Sequence, residues 1–138
     1  MQRIVALDFG LKRTGIAISD ENRMFAFGWG NISSEKLMET LIEIKNKEPF
    51  DTIALGYPTR LDNSDSHITE NVRMLKQALE KQFVDIKVEL VDERYTSKMA
   101  SETIHKAGGS KRMKKQKGLI DQVSATIILQ AYLSQLEM

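Results

Sequence analysis

The chain has 138 residues, 41% hydrophobic and 28% charged, which suits one soluble domain able to bury roughly two-thirds of its unfolded surface, and a second full domain is not expected. It has no cysteine, which removes thiolate catalysis, disulfides and any cysteine-built zinc or iron–sulfur centre, and its two histidines leave carboxylates as the main ligands for any metal. Lys plus Arg number 20 against 19 Asp plus Glu, so neither a basic coat nor an acidic tail is expected.

In chain order, Ile4–Phe9 reads as a strand and Thr14–Ser19 as its hairpin partner, joined through Gly10, Leu11, Lys12 and Arg13. A third strand, Met24–Trp29, follows the polar turn Asp20-Glu21-Asn22-Arg23 and completes an antiparallel meander. Phe27 and Trp29 alternate on it and read as packing residues. Leu37, Leu41 and Ile44 with Met38 then mark a helix that starts near Ser33 or Ser34 and stops before Pro49. Thr52–Leu55 is a buried strand ending in Gly56-Tyr57-Pro58. Ile68, Val72, Leu75, Leu79 and Phe83 form a second helical face, and Ile86–Val91 a fifth strand. A helix over Ser97–Lys106 closes at Gly108-Gly109, and a last helix covers Ile120–Leu136. The order implies an α/β fold: one five-stranded mixed sheet, antiparallel over its first three strands and parallel for the next two, flanked by helices, in a single domain over 1–138.

Charge is unevenly spread along this frame. Lys111, Arg112, Lys114, Lys115 and Lys117 crowd into seven residues without an acid, and the remaining 131 residues carry a net charge of −4. Positive charge gathered on a mildly negative body points to a polyanion touched at one place, although a solvated loop gives the same pattern.

Three acids stand where chemistry can gather. Asp8 lies near the end of a strand whose neighbours all favour burial, so its carboxylate needs a donor, a metal or an exposed strand end; an Asp that simply turns the chain before Gly10 is the plainer alternative. Asp92-Glu93-Arg94 follows the fifth strand directly, and residues just past the carboxyl ends of strands line the functional edge of an open α/β sheet. Strand alternation sends Asp92 and Glu93 to opposite faces, so one of them meets Asp8 and Arg94 pairs with the other. Asp121 falls on the inward side of the last helix with Ala125 and Tyr132, or is merely an N-cap or first-turn acid. Together the acids could form an oxygen-rich site for Mg2+ or Mn2+, with the basic run beside it to hold a phosphate backbone.

These segments resemble a known family. Ile4-Val5-Ala6-Leu7-Asp8-Phe9-Gly10 through Arg13-Thr14-Gly15-Ile16-Ala17, Leu55-Gly56-Tyr57-Pro58, Val91-Asp92-Glu93-Arg94-Tyr95-Thr96-Ser97, and Lys114-Lys115-Gln116-Lys117-Gly118 through Asp121 to Leu133 are similar, in order, to the motifs of the YqgF/RuvX family of ribonuclease H-like nucleases. The resemblance implies a ribonuclease H-like fold and a two-metal nuclease with Asp8, Glu93 and Asp121 as the acidic triad and Asp92 as the competing ligand. It implies phosphate contact or site organisation by Arg13, Arg94 and Lys117, to which Gly10, Tyr57, Lys111, Arg112, Lys114 and Lys115 are added as candidate substrate contacts. The chain departs from the family pattern at Tyr57 and Tyr95, where leucine is usual, and around Asp62-Asn63-Ser64, where a glycine is common.

The family is described both as the nuclease that matures the 5′ end of 16S ribosomal RNA and as a junction resolvase. The expected partner is therefore structured nucleic acid: precursor ribosomal RNA, free or within pre-ribosomal particles, or else branched DNA. A monomer suffices for RNA, whereas paired cuts in a junction favour a homodimer. Two other readings compete: a non-catalytic RNA-binding module, and an actin-like or sugar-kinase phosphate loop, which needs more than twice this length. The apolar run opens within three residues of Met1 and no stretch approaches a membrane span, so a cytoplasmic protein without membrane contact is expected. His67, at a helix start, and His105 read as surface residues.

Overall fold

In the computed structural model, residues 2–57, 67–92 and 117–136 are described, with positions 67–69, 92 and 117–122 described by their backbone. The elements are β1 (Arg3–Phe9), β2 (Arg13–Ser19), β3 (Ala26–Ser33), a 3-10 turn (Ser34–Lys36), α1 (Leu37–Lys47), β4 (Phe50–Tyr57), α2 (His67–Gln82), β5 (Lys87–Asp92) and α3 (Lys117–Leu136). The helix expected at 97–106 and most of the basic run lie outside the described residues.

One sheet of order β3-β2-β1-β4-β5 carries them, antiparallel between β3, β2 and β1 and parallel from β1 through β4 to β5. β1 and β4 are central because their residues are apolar at both parities, as strands covered on both faces must be. The odd residues Val5 and Leu7 of β1 join Ile16, Ile18, Ile53 and Leu55 in a core under α1 and α2. The even residues Ile4 and Ala6 join Ala17, Ala54 and Val91 in a second core under α3. α1 buries Leu37, Leu41 and Ile44, one stripe at helical spacing, and stops at Glu48 because Pro49 disfavours helix before it.

Three expectations are corrected. β3 runs from Ala26 to Ser33, not from Met24 to Trp29. The Asp20 carboxylate accepts the backbone N–H groups of Met24 and Phe25 at 2.8 and 2.9 Å, which draws both residues into the turn, and pairing with β2 continues to Ser33 because β2 starts at Arg13. Phe27 and Trp29 are not core residues: β3 is the sheet edge, its pairing is interrupted by a bulge opposite Ile16 and Ala17, and the two side chains stay 54% and 42% exposed. α3 starts at Lys117, three residues earlier than expected, and has no acid in its first turn, so Asp121 is not an N-cap or first-turn residue.

Candidate active site

Asp8 is the last residue but one of β1, and its surroundings follow from register. Asp8 pairs with Gly15 of β2. On the other side Leu7 pairs with Leu55, so the next step of the parallel ladder sets Asp8 beside Gly56, which in turn pairs with Val91 of β5. The carboxylate thus continues the Ile4, Ala6 row on the α3 face, half-buried, with a glycine on each flank. Two missing side chains leave room for a ligand around an acid that a strand interior would otherwise crowd. Asp121 stands four residues before Ala125 and seven before Ile128, on the helical stripe of α3 that packs on this same row.

The turn after Asp8 is tightly built. The N–H of Gly10 donates to the carbonyl of Arg13 at 2.9 Å, and a Cβ on Gly10 would lie 2.7 Å from that carbonyl oxygen, so the position requires glycine for the turn itself. Ser34 locks the turn from outside: its hydroxyl donates to the Gly10 carbonyl, shares a 2.8 Å hydrogen bond with the buried Thr14 hydroxyl, and its N–H donates to the Lys12 carbonyl at 2.9 Å. Sequence reasoning missed Ser34, because a serine at a helix start reads as a cap. Here it caps nothing and braces the loop beside Asp8 instead. Arg13 opens β2 and is exposed at the same end of the sheet.

Tyr57 ends β4, packs partly against the α1 and α2 core, and is held by Arg73 of α2. The guanidinium donates to the phenol oxygen at 2.9 Å and lies 5.9 Å from the ring centroid, a contact invisible to a helical pattern that only marked Val72 and Leu75. Asp92, last in β5, pairs with Tyr57. Lys117 opens α3. Glu93, Arg94, Lys111, Arg112, Lys114 and Lys115 lie outside the described residues. Among the described residues no three His, Asp or Glu side chains gather closely enough to bind a metal, and of the four candidate ligands only Asp8 has a described side chain.

A five-stranded mixed sheet of this order, antiparallel from β3 to β1 and parallel from β1 to β5, with helices on both faces, defines a ribonuclease H-like α/β fold. The fold is shared with RuvC of T. thermophilus, solved in complex with a Holliday junction substrate, at TM-score 0.59 and 7% identity over 100% of this chain and 98% of that one. The chain belongs to the RuvX family, described as Holliday junction resolvase, whose model matches residues 2–135. It is 41% identical over 96% of both chains to a Bacteroides thetaiotaomicron protein named "Putative pre-16S rRNA nuclease" and 39% identical over 98% of both to a Flavobacterium psychrophilum protein of the same name.

Proposed function

We propose that this chain is a metal-dependent nuclease, one catalytic unit over 1–138, that hydrolyses a phosphodiester in precursor 16S ribosomal RNA in the cytoplasm. The observation that carries it is Asp8: a half-buried carboxylate flanked by Gly15 and Gly56 beneath the helix that bears Asp121. Asp8, Glu93 and Asp121 are the proposed acids. Alternation supports Glu93 over Asp92, because Val91 belongs to the row that carries Asp8 and the next residue of that parity is 93, whereas Asp92 pairs with Tyr57 on the opposite row.

The donor set suits Mg2+ or Mn2+, hard ions that prefer carboxylate oxygens and water. Such an ion, when bound, supplies Lewis acidity and a more acidic water. The chain's own contribution is positional. The β1–β2 turn fixed by Gly10 and Ser34 sets the course of the backbone directly after Asp8. Arg13, Lys117, Arg94 and the lysines and arginine of 111–115 balance the negative charge that grows on the phosphoryl oxygens.

The family description and the RuvC fold favour a second substrate, a four-way DNA junction. Both are tested by Mn2+-dependent cleavage of a labelled 16S precursor fragment, free and in pre-ribosomal particles, and of a synthetic junction, with wild type and Asp8→Asn. Cutting near the mature 5′ end by wild type alone supports the proposal. Symmetric junction cuts transfer it to the resolvase, and the absence of Asp8-dependent cutting of either overturns it in favour of an RNA-binding module.

A further inference from the structure

From Met24 to Ser34 the chain has no charged residue, although 28% of the whole sequence is charged. This stretch includes β3, an outer strand of the sheet, and it lacks the lysines and prolines that usually blunt an edge. Met24, Phe25, Phe27 and Trp29 are 66, 60, 54 and 42% exposed. Phe25 and Phe27 stand with ring centroids 6.4 Å apart, and with Met24 and Ala26 they line a groove of about 460 Å³ closed by Gln130, Leu133 and Ser134 of α3.

Trp29 sits beside a notch. The bulge makes Trp29 the extra residue between Gly28, which pairs with Ala17, and Gly30, which pairs with Ile16. Trp29 shares a groove with Glu43, Ile44 and Lys47 of α1 and with Glu48 just after it, and Ile16 belongs to the core under α1, so Trp29 and Gly30 lie on one face. A Cβ built on Gly30 meets nothing within 4 Å. A strand that carries a projecting indole next to an open glycine is complementary to itself. When two copies run antiparallel about a two-fold axis between positions 29 and 30, each Trp29 faces the other copy's Gly30, the pairing by which an aromatic ring covers an edge glycine.

We propose that β3 is a self-association surface and that its occupant is a second copy of this chain, joined edge to edge in an antiparallel two-fold pair. The area is of the right order: four large side chains about half exposed offer roughly 400 Å² per copy, about half of the ~800 Å² that each partner gives to a stable interface, before the strand backbone and the α3 groove are added. Charge disfavours a phosphate backbone at the same place, since the groove beside Trp29 carries two acids and one lysine. The pair has a geometric consequence. The two sheets run in opposite senses, so the carboxyl ends of β1 and β4 in the two copies open at opposite edges, and the two Asp8 sites serve separate substrates.

Trp29 is the sole tryptophan, so its emission reports the contact directly. The experiment combines sedimentation velocity with Trp29 emission from about 1 to 100 μM for wild type, Trp29→Lys, Gly30→Val and, as an exposed control away from β3, Val84→Lys. Gly30→Val keeps the test clear of misfolding, because the monomer has space for the side chain and valine favours a strand. The expected result is a concentration-dependent dimer with blue-shifted emission in wild type and Val84→Lys. In Gly30→Val the dissociation constant rises at least about tenfold with unchanged melting temperature, and Trp29→Lys stays monomeric. A wild type that remains monomeric throughout overturns the proposal, as does a dimer that Gly30→Val and Trp29→Lys both leave intact. So does a monomer whose Trp29 emission shifts only on adding RNA. None of these readouts depends on nuclease activity.

Discussion

The two faces of the sheet are built from the same four strands and differ in side-chain size. Under α1 and α2 the strands present Val5, Leu7, Ile16, Ile18, Ile53 and Leu55, a conventional branched-chain core. Under α3 they present Ala6, Ala17 and Ala54, and the row that ends in Asp8 is flanked by Gly15 and Gly56. Large side chains on one face make stability. Small ones on the other let a helix approach closely and leave room beside the half-buried Asp8, so the proposed site lies on the thinner face.

The largest effect that sharpens this contrast concerns the adjacent acids. Glu93→Gln is expected to lower kcat for RNA cleavage on the order of 10³-fold or more, whereas Asp92→Asn, of the other parity, loses less than about tenfold; single-turnover cleavage separates them. An equal loss in both would break the row assignment.

Truncation on the thick face should act through stability. Leu55→Ala, which opens a cavity in the α1 and α2 core, is expected to cost about 2–5 kcal/mol in urea unfolding while the folded fraction keeps its kcat. Enlargement on the thin face should do both at once. Ala54→Leu, pressed between β4 and α3, is expected to cost about 1–3 kcal/mol and to lower kcat as well, because α3 and Asp121 are pushed from the row of Asp8.

A smaller effect belongs to the rim. Tyr57→Leu removes the ring and hydroxyl that hold Arg73, and a rise in KM of roughly two- to fivefold at unchanged kcat is expected, with little change in stability. The smallest lies at the turn that enters β3. N–H donation from Phe25, and then from Met24, holds the Asp20 carboxyl below its ordinary value. A lowered value in the folded state means that this contribution is present above the ordinary carboxylate range and lost as the pH falls through the lowered value. The melting-temperature difference between wild type and Asp20→Ala should therefore be constant near neutrality and shrink below about pH 4.

Much of this was legible in the residues. Short apolar runs bounded by turns marked all five strands, unbroken in β1 and β4, and Leu37, Leu41, Ile44 and Val72, Leu79 marked two helices, because burying an apolar face imposes its period on the sequence. Asp8 stood out for the same reason, as a carboxylate in an apolar run. The basic run stood out by its charge and Glu93 and Arg94 by their place after the fifth strand, whereas the choice of Glu93 over Asp92 as the triad acid came from the family motif and is a proposal.

Sequence alone determined the element types, the mixed sheet and the family, since each is written in local periodicity and in motif order. Only the tertiary structure decided which strand lies at the edge, and so that Phe27 and Trp29 face outward. The same packing set Gly15 and Gly56 beside Asp8, turned Ser34 from a helix cap into a brace for the loop, and brought Arg73 onto Tyr57. Each of these depends on register between segments distant in the chain, and a strand's alternation tells which residues share a face but not which neighbour, if any, covers it.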